Sequence, residues 1–269
     1  MIRLRLALLV CLALTAGCRS DEVTLIYRFQ PGGTTEYLMR ADARARWDIG
    51  GGGQGRSNLE IRVLETVEEI DGDDATLEVT MIPQAATGSG LLAPGAERRT
   101  FRLRVGADGG VREVLDINGI PARVLQPQER TLIGTFRVPL PESSVGLLDT
   151  WTASLGVGGE VGLGGSLLEG RLVRLNNEAG RDTAHLRYSG SGPLSWTVSL
   201  PQGDAALEGD ALTDVSATFD IAGGFLRAAE STTSATFDLR VERSQVEAPI
   251  RGTLSFVLDI AVERVSGAP

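Results

Sequence analysis

The chain has 269 residues, of which 35 are acidic and 26 are basic, and its net charge is −9. Hydrophobic residues make up 42% of the sequence, as in ordinary globular proteins, and the length suffices for one large core or two smaller ones. Because an acidic chain is repelled by phosphate backbones, the composition argues against a nucleic-acid-binding function.

The N-terminus has the order of charge and hydrophobicity that is typical of an export signal. Residues 1–5 (MIRLR) are basic, and residues 6–17 (LALLVCLALTAG) are uncharged and mostly apolar. The apolar run is shorter than the roughly 20 residues that a membrane-spanning helix needs. We therefore predict a removable signal peptide at residues 1–17, followed by a short tether at residues 18–22.

The signal ends in two small residues and a cysteine, namely Ala16, Gly17 and Cys18. This ending resembles the bacterial lipoprotein signal, in which a diacylglycerol is attached to the cysteine thiol and the chain is cleaved just before it. The resemblance implies that Cys18 is the lipidated first residue of the mature chain. The open alternative is an ordinary signal peptide, with Cys18 as a structural or free thiol.

The cysteine count supports lipidation. Cys11 is the only other cysteine, and it lies in the segment to be removed, so Cys18 has no partner for an internal disulfide. Loss of Arg3 and Arg5 would leave 24 arginines, no lysine and 35 carboxylates. Because this charge disfavours contact with anionic lipid through the protein surface, we expect the acyl chains to make the membrane contact.

The residue after the cysteine indicates which membrane would receive the lipid-anchored protein. In sorting systems that read this position, an aspartate keeps a lipoprotein at the inner membrane. The chain has Arg19 there. This favours the outer membrane, with the protein facing the periplasm, in a cell that has two membranes.

Beyond Cys18 the dominant pattern is an alternation of apolar and polar residues, which is typical of antiparallel strands with one solvated face. Residues 59–82 predict a β-hairpin with its turn at residues 71–74. Residues 99–114 predict a second hairpin with its turn at Asp108-Gly109.

The C-terminal part of the chain alternates in the same way. Residues 194–200, 234–241 and 253–262 each place apolar side chains at every second position. Helical patterns are few. Residues 117–134 and 143–151 each predict at most a short helix.

These patterns predict a mostly β protein with one or two short helices. The antiparallel strands would form either two related sheet halves or one long curved sheet like a half-barrel. Pro139 and Pro141 indicate a connection at mid-chain. We therefore predict an N-terminal β-rich half at residues 23–135 and a C-terminal β-rich half at residues 136–269.

No combination of residues typical of an active site is evident. His185 is the only histidine, and the alternation in its strand places it on the polar face with Arg187. We interpret it as an exposed surface residue rather than a general base or metal ligand, because such sites need partners in defined geometry. Motifs for a catalytic nucleophile or a phosphate-binding loop are absent from the sequence. We therefore predict a protein that is not an enzyme and has no cofactor.

Asp71, Asp73 and Asp74 are the best candidates for cation ligands, because closely spaced carboxylates bind calcium. A calcium loop also has a glutamate at a fixed spacing, which this sequence lacks. The favoured interpretation is a polar hairpin turn, in which Asp and Gly are common for backbone reasons.

Three stretches carry a second resemblance, residues 27–43, 145–155 and 217–239. They resemble the β-rich exported lipoproteins of unknown function found in many bacteria, a group that supplies no catalytic residues. The sheets are also similar to the half-barrels of lipoprotein carriers, in which a curved antiparallel sheet leaves an apolar hollow.

The strands are apolar on one face, and too few helices are predicted to cover that face. Either two sheets must pack face to face, or the apolar face must enclose a hollow. We therefore predict a lipid-anchored protein of the cell envelope, of a non-enzymatic binding or assembly type, that holds an apolar ligand or an envelope protein partner. The alternative is an envelope hydrolase that uses acidic residues. Its signature would be two buried carboxylates about 5 to 9.5 Å apart in a cleft.

Overall fold

The computed structural model describes residues 22–48, 52–88, 97–122, 137–154, 167–178, 181–200, 203–242 and 250–265. The predicted signal peptide and Cys18 lie outside these ranges. Within them, no helix is long and apolar enough to cross a membrane.

The described residues form twelve β-strands, most of them long. Their alternating pattern and their many Val, Ile, Thr and Phe residues suit a pleated, half-buried surface. The strands are β1 (Thr34–Trp47), β2 (Gly53–Asp71), β3 (Asp74–Gly88), β4 (Arg99–Gly106), β5 (Val111–Ile117), β6 (Ile120–Pro121), β7 (Thr150–Ser154), β8 (Leu167–Glu178), β9 (Arg181–Leu200), β10 (Gly203–Asp220), β11 (Phe225–Glu242) and β12 (Ile250–Arg264).

All twelve strands belong to one antiparallel sheet, in the order β6-β5-β4-β3-β2-β1-β12-β11-β10-β9-β8-β7. The first and last strands pair at its centre, where Ala43 lies opposite Leu258. Strands β6 and β7 are the two edges, so the sheet is not closed. The predicted mostly β, antiparallel fold is confirmed, and it takes the form of one long sheet.

Both hairpins predicted in the N-terminal half are present. Residues 59–82 lie in β2 and β3, and Gly72 in their turn has a φ of 61°. Residues 99–114 lie in β4 and β5, and Gly109 in their turn has a φ of 80°. Left-handed conformations of this kind favour glycine, which explains the Asp-Gly pair at both turns.

The one or two short helices of the prediction are not found in the described part of the chain. Residues 117–121 belong to β5, a turn and β6, and most of the remainder of that segment lies outside the described residues. In residues 143–151, Val145 instead forms an isolated antiparallel β-bridge with Val23, and a turn follows it. In this turn the Asp149 carboxylate accepts a hydrogen bond from the Gly146 N–H at 2.8 Å. These contacts occupy backbone groups that a helix would use.

One end of the sheet is closed by the N-terminal segment 22–30, which we call the plug. It runs between the β4–β5 turn and the β10–β11 turn. The Tyr27 N–H donates to the Ala107 carbonyl at 2.7 Å, and the Arg28 N–H donates to the Gly224 carbonyl at 2.9 Å. The plug therefore connects the two sides of the sheet at this end.

A second segment, residues 137–145, lies over the same end, and we call it the strap. The Leu140 N–H donates to the Asp108 carbonyl at 2.7 Å, on the β4–β5 turn. The Tyr188 hydroxyl of β9 donates to the Pro139 carbonyl at 2.8 Å. The strap therefore also contacts both sides of the sheet.

The main hydrophobic core fills this closed end. Leu25 and Tyr27 of the plug belong to the same buried cluster as Phe101 of β4, Leu172 of β8 and Leu186 of β9. Strands far apart in the sheet order thus contribute to one core. The sheet must therefore curl around the plug, with its apolar face inward.

The outer face of the sheet carries ion pairs between strands. Arg40 contacts Glu60 at 2.9 Å, and Arg102 contacts Glu68 at 2.9 Å, with all four side chains at least one-third exposed. Exposed pairs of this kind contribute about 0 to 1 kcal/mol each. Most of the stability of the fold therefore comes from the inner face.

Candidate functional site: a trough on the inner face

The inner-face side chains become smaller with distance from the plug. Near the plug they are bulky and buried, as for Met39, Ile61, Val262 and Leu186. Further along the strands, inner-face residues that lie opposite one another form rows across the sheet. The size of the side chains in these rows determines how much space the curled sheet encloses.

Two neighbouring rows consist mostly of small residues, and we call them the trough. The first row crosses seven strands from β3 to β9, and the second crosses six strands from β2 to β9. The first row is Gly88, Ser57, Ala43, Leu258, Thr233, Thr213 and Gly190, and the second is Gly55, Ala45, Phe256, Ala235, Ala211 and Gly192. Only Leu258 and Phe256 are large.

The dimensions of the trough suit an extended hydrocarbon. Six strand-to-strand intervals of about 4.8 Å give it a length of about 29 Å along the curved face, and its two rows are about 7 Å apart. One leaflet of a bilayer has a hydrocarbon layer of about 15 Å, half the thickness of the membrane core. The trough is therefore longer than an extended acyl chain.

The opposite sides of the sheet do not collapse onto the trough. Among the described strands, only neighbours in the sheet run in extended close contact. Face-to-face sheets pack about 10 Å apart when large side chains fill the space between them. Small side chains fill less of that space: Ala43, Thr213, Thr233 and Leu258 are half-buried, whereas Ser57, Ala45, Ala211 and Ala235 are buried.

Apolar clusters border the trough on both sides. Toward the plug, Leu59 and Ile260 pack against the main core. On the other side, Phe237 is buried with Ala211 and Ala235 of the second row in a smaller cluster, against which Leu254 and Phe256 pack. The second row thus takes part in the smaller cluster, and the first row lies between that cluster and the main core.

The trough offers a ligand mainly methyl and methylene groups. Its two threonine hydroxyls, those of Thr213 and Thr233, hydrogen-bond to each other at 3.0 Å. The buried side-chain atoms without a hydrogen-bond partner in the described structure are Glu65 Oε1, Arg137 Nε and Trp151 Nε1, and none belongs to the trough. The chemistry of the trough therefore favours an apolar ligand.

A buried ion pair lies under the plug. Glu65 faces inward from β2, and Arg137 begins the strap; Arg137 Nη2 and Glu65 Oε2 are 2.5 Å apart, with side chains only 8% and 5% exposed. The guanidinium lies over the rings of Tyr27 and Phe29, 4.9 and 5.6 Å from their centroids. The pair therefore ties the strap and the plug to the sheet.

Burial determines the protonation of this cluster. Burial raises the pKa of Glu65, and Arg137 opposes the rise. Burial disfavours the charge of Arg137 as well, but its interactions with Glu65, Tyr27 and Tyr37 together outweigh burial and raise the pKa of the guanidinium. Burial also raises the pKa values of Tyr27 and Tyr37 well above the ordinary range. Arg137 is therefore charged and both tyrosines are neutral at physiological pH.

A second buried carboxylate, Asp220, also pairs with an arginine. Its Oδ2 accepts a hydrogen bond from Arg227 at 2.9 Å, and its Oδ1 accepts one from the Gly223 N–H at 2.7 Å. These bonds stabilise the β10–β11 turn.

No protein-family model matches the chain, and a search of curated proteins finds no match. Among solved structures, lipovitellin, in a structure describing lipid–protein interactions, aligns with 90% of this chain at 11% identity and a TM-score of 0.43. The chain covers 26% of the lipovitellin chain. OccK2 (OpdF) of Pseudomonas aeruginosa, in complex with glucuronate, aligns with 90% of this chain and 99% of its own at 9% identity and a TM-score of 0.18.

The three candidate cation ligands lie at the turn between β2 and β3. Asp71 and Asp73 are exposed at the β2–β3 turn. Asp74 pairs with an arginine instead, because its Oδ1 lies 3.9 Å from Arg112 Nε. In the part of the chain that is described, no group of three or more His, Cys, Asp or Glu residues is arranged to hold a metal ion. Cys18 lies outside that part, and its lipidation stays a prediction.

His185 lies on the outer face, opposite the buried Ala184 and Leu186, as the alternation predicts. It is half-buried rather than exposed, because the neighbouring strands contact both ring nitrogens. Nδ1 lies 3.4 Å from Thr218 Oγ1, and Nε2 lies 3.2 Å from Asn176 Nδ2.

The sequence analysis missed both the buried ion pair and the trough. A signal for Glu65 was present, because it lies two residues from Val63 and from Val67 and so shares their inward face. A signal for part of the trough was also present in the alternation of Ala43 and Ala45 with charged residues of β1. We find no comparable signal for Arg137.

Proposed function

We propose that the protein is a lipid-anchored protein of the cell envelope that holds an acyl chain in the trough and performs no reaction on it. The observation that carries this proposal is the strip of small inner-face residues beside the apolar clusters, half-buried at Ala43, Thr213 and Thr233. An acyl chain is the apolar group whose extended shape fits that strip.

Binding of an acyl chain in the trough would be driven by removal of methylenes from water. About ten buried methylenes at about 0.8 kcal/mol each contribute about 8 kcal/mol before the costs of association. Those costs fall when the site exists before the ligand arrives. The trough meets that condition, since its walls are long strands hydrogen-bonded within one sheet.

The anchor proposed at Cys18 would orient the molecule. The tether between Cys18 and the plug extends to about 15 Å at most. The plug closes one end of the curled sheet, so this end would face the membrane. The trough would then lie beyond the plug, on the side away from the anchor.

Ala43→Phe is expected to block the trough. Ala43 lies next to the central residue of the first row, Leu258, and is half-buried, so a phenyl ring there occupies the volume proposed for the ligand. We expect the affinity for a fluorescent fatty acid to fall at least about tenfold, a change of about 1.4 kcal/mol. The measurement is a fluorescence titration of the delipidated protein.

Ala261→Phe is the matched control, because Ala261 is exposed on the outer face of the neighbouring strand β12. It should leave fatty-acid binding unchanged. Wild-type affinity in Ala43→Phe would contradict the proposed site. A fall in the free energy of unfolding by about 1 to 3 kcal/mol in Ala43→Phe, the usual cost of overpacking, would show that protein already fills the trough.

Cys18→Ser is expected to release the protein from the membrane, because serine has no thiol for lipid attachment. Cell fractionation and immunoblotting should show the variant in the soluble periplasmic or extracellular fraction. Cys11→Ser, which changes the other cysteine inside the signal, should leave the protein in the membrane fraction. If Cys18→Ser also stays in the membrane fraction, the lipid anchor is not at this residue.

A further inference from the structure

A depression of about 560 Å³ crosses strands β8 to β11. Its floor includes Leu186, Ala217 and Ala229, whose side chains are buried on the inner face. The depression therefore lies on the opposite, outer face of the sheet. It is separate from the trough and plays no part in the function proposed above.

Three basic side chains line this depression, those of Arg174, His185 and Arg187. In the described structure no carboxylate oxygen lies within 4.0 Å of either arginine's side-chain nitrogens. Elsewhere on the outer face, arginines such as Arg40 and Arg102 pair with a neighbouring glutamate. Arg174 and Arg187 therefore form no ion pair with a carboxylate of the described residues.

The imidazole of His185 is held by both neighbouring strands. Nε2 faces two nitrogen donors of β8, Arg174 Nη2 at 3.3 Å and Asn176 Nδ2 at 3.2 Å, so it acts as an acceptor. Nδ1 then carries the proton and donates to Thr218 Oγ1 at 3.4 Å. These contacts position the Arg174 guanidinium at the edge of the depression.

Hydroxyl groups complete the lining. Ser216 lies opposite Arg187 in the register of β9 and β10, and Thr218 lies opposite His185. Glu230 lines the β11 side of the depression. A negatively charged ligand is therefore favoured on the β8–β9 side, away from Glu230.

We infer that this depression binds a phosphate group, either free phosphate or the phosphate of a lipid headgroup. Two guanidinium groups supply planar pairs of N–H donors that match the oxygens of phosphate. The Ser216 hydroxyl, on β10 between Arg187 and Glu230, supplies a further donor next to Arg187. A tetrahedral phosphate has enough oxygens to accept from all three, whereas a carboxylate has only two.

Nuclear magnetic resonance tests this inference directly, because His185 is the only histidine. The full-length protein is purified with a histidine-free tag in a zwitterionic detergent, with ¹³C-labelled histidine. Inorganic phosphate should shift the ring signals of His185 saturably. Sodium chloride at the same ionic strength should not, and an equal shift with chloride would overturn the inference.

Variants locate the binding and separate the two sources of phosphate. Arg174→Gln and Arg187→Gln should each weaken phosphate binding at least about tenfold, whereas Arg40→Gln should not, because Arg40 contacts Glu60 at 2.9 Å and does not line the depression. Equal weakening by all three would show general surface charge and overturn the site. Tighter binding of short-chain phosphatidylglycerol than of inorganic phosphate identifies a headgroup site, and the reverse order identifies a site for free phosphate. No saturable shift with either probe would overturn the inference.

Discussion

Arg137→Met is expected to lower the free energy of unfolding by about 3 to 5 kcal/mol at neutral pH, the usual cost of removing one partner of a buried ion pair. The substitution leaves the Glu65 carboxylate buried without its counter-charge. One oxygen of that carboxylate, Oε1, already has no hydrogen-bond partner in the described structure, so the other depends on Arg137. Urea denaturation of the two proteins measures the difference.

The destabilisation by Arg137→Met should depend on pH. Burial raises the pKa of Glu65 in the folded protein above its unfolded value, which is ordinarily about 4.3. A group with a raised folded pKa contributes its stability below the unfolded pKa, and the contribution is lost as the pH rises through the folded pKa. Removing Arg137 raises the folded pKa further. We therefore expect the smallest difference from wild type near pH 4 and the largest near pH 7.

Two further variants separate charge from packing. Glu65→Gln combined with Arg137→Met should recover most of the lost stability at pH 7, because no buried charge remains uncompensated. Arg102→Met removes an exposed arginine paired with Glu68 and should cost about 1 kcal/mol or less. A double variant as unstable as Arg137→Met, or a loss that is equal at pH 4 and pH 7, would assign the effect to packing instead.

Local alternation allowed the strands and hairpins to be predicted. In residues 59–82 and 99–114, apolar and polar side chains alternate with a period of two, which assigns each residue to the inner or the outer face. An Asp-Gly pair marks the turn of each hairpin. The segment 143–151 was harder, because its conformation depends on a bridge to Val23, far away in the chain. A helix was predicted there from local pattern alone.

The candidate site depends on long-range register, which explains why the trough was not predicted. The inward alanines of β1 are visible as an alternation in the sequence, but their alignment with Thr233 and Thr213 requires the pairing of β1 with β12. That pairing joins opposite ends of the chain, and no local pattern specifies it. Arg137 was missed for the same reason, because its partner Glu65 belongs to a distant strand.

Tyr27→Ala is expected to lower the free energy of unfolding by about 3 to 5 kcal/mol, the range for truncating a buried aromatic side chain. Tyr27 is 4% exposed and packs edge-on against Phe219, with ring centroids 5.2 Å apart. A side chain at Gly109 would clash with its ring, so the β4–β5 turn fits closely around it. Thermal or urea unfolding measures the loss, and hydrogen exchange should show faster opening of the strap.

Two substitutions serve as controls for the plug. Ile26→Ala changes the adjacent residue, whose side chain is 37% exposed, and should cost less than about 1 kcal/mol. Tyr27→Phe keeps the ring but removes the hydrogen bond from its hydroxyl to the Val138 carbonyl, at a cost of about 0.5 to 1.5 kcal/mol. If Ile26→Ala costs as much as Tyr27→Ala, the plug is not held by its inward side chain.

Tyr27 and Arg137 should be coupled, because the guanidinium of Arg137 lies over the Tyr27 ring. In a double-mutant cycle of Tyr27→Ala and Arg137→Met, residues in contact show interaction energies of about 0.5 to 3 kcal/mol. Additive losses would mean that the plug and the strap stabilise the closed end independently. Coupling of that size would make the closed end one cooperative unit, joined by the tether to the proposed anchor, and would hold the curvature of the sheet that encloses the trough.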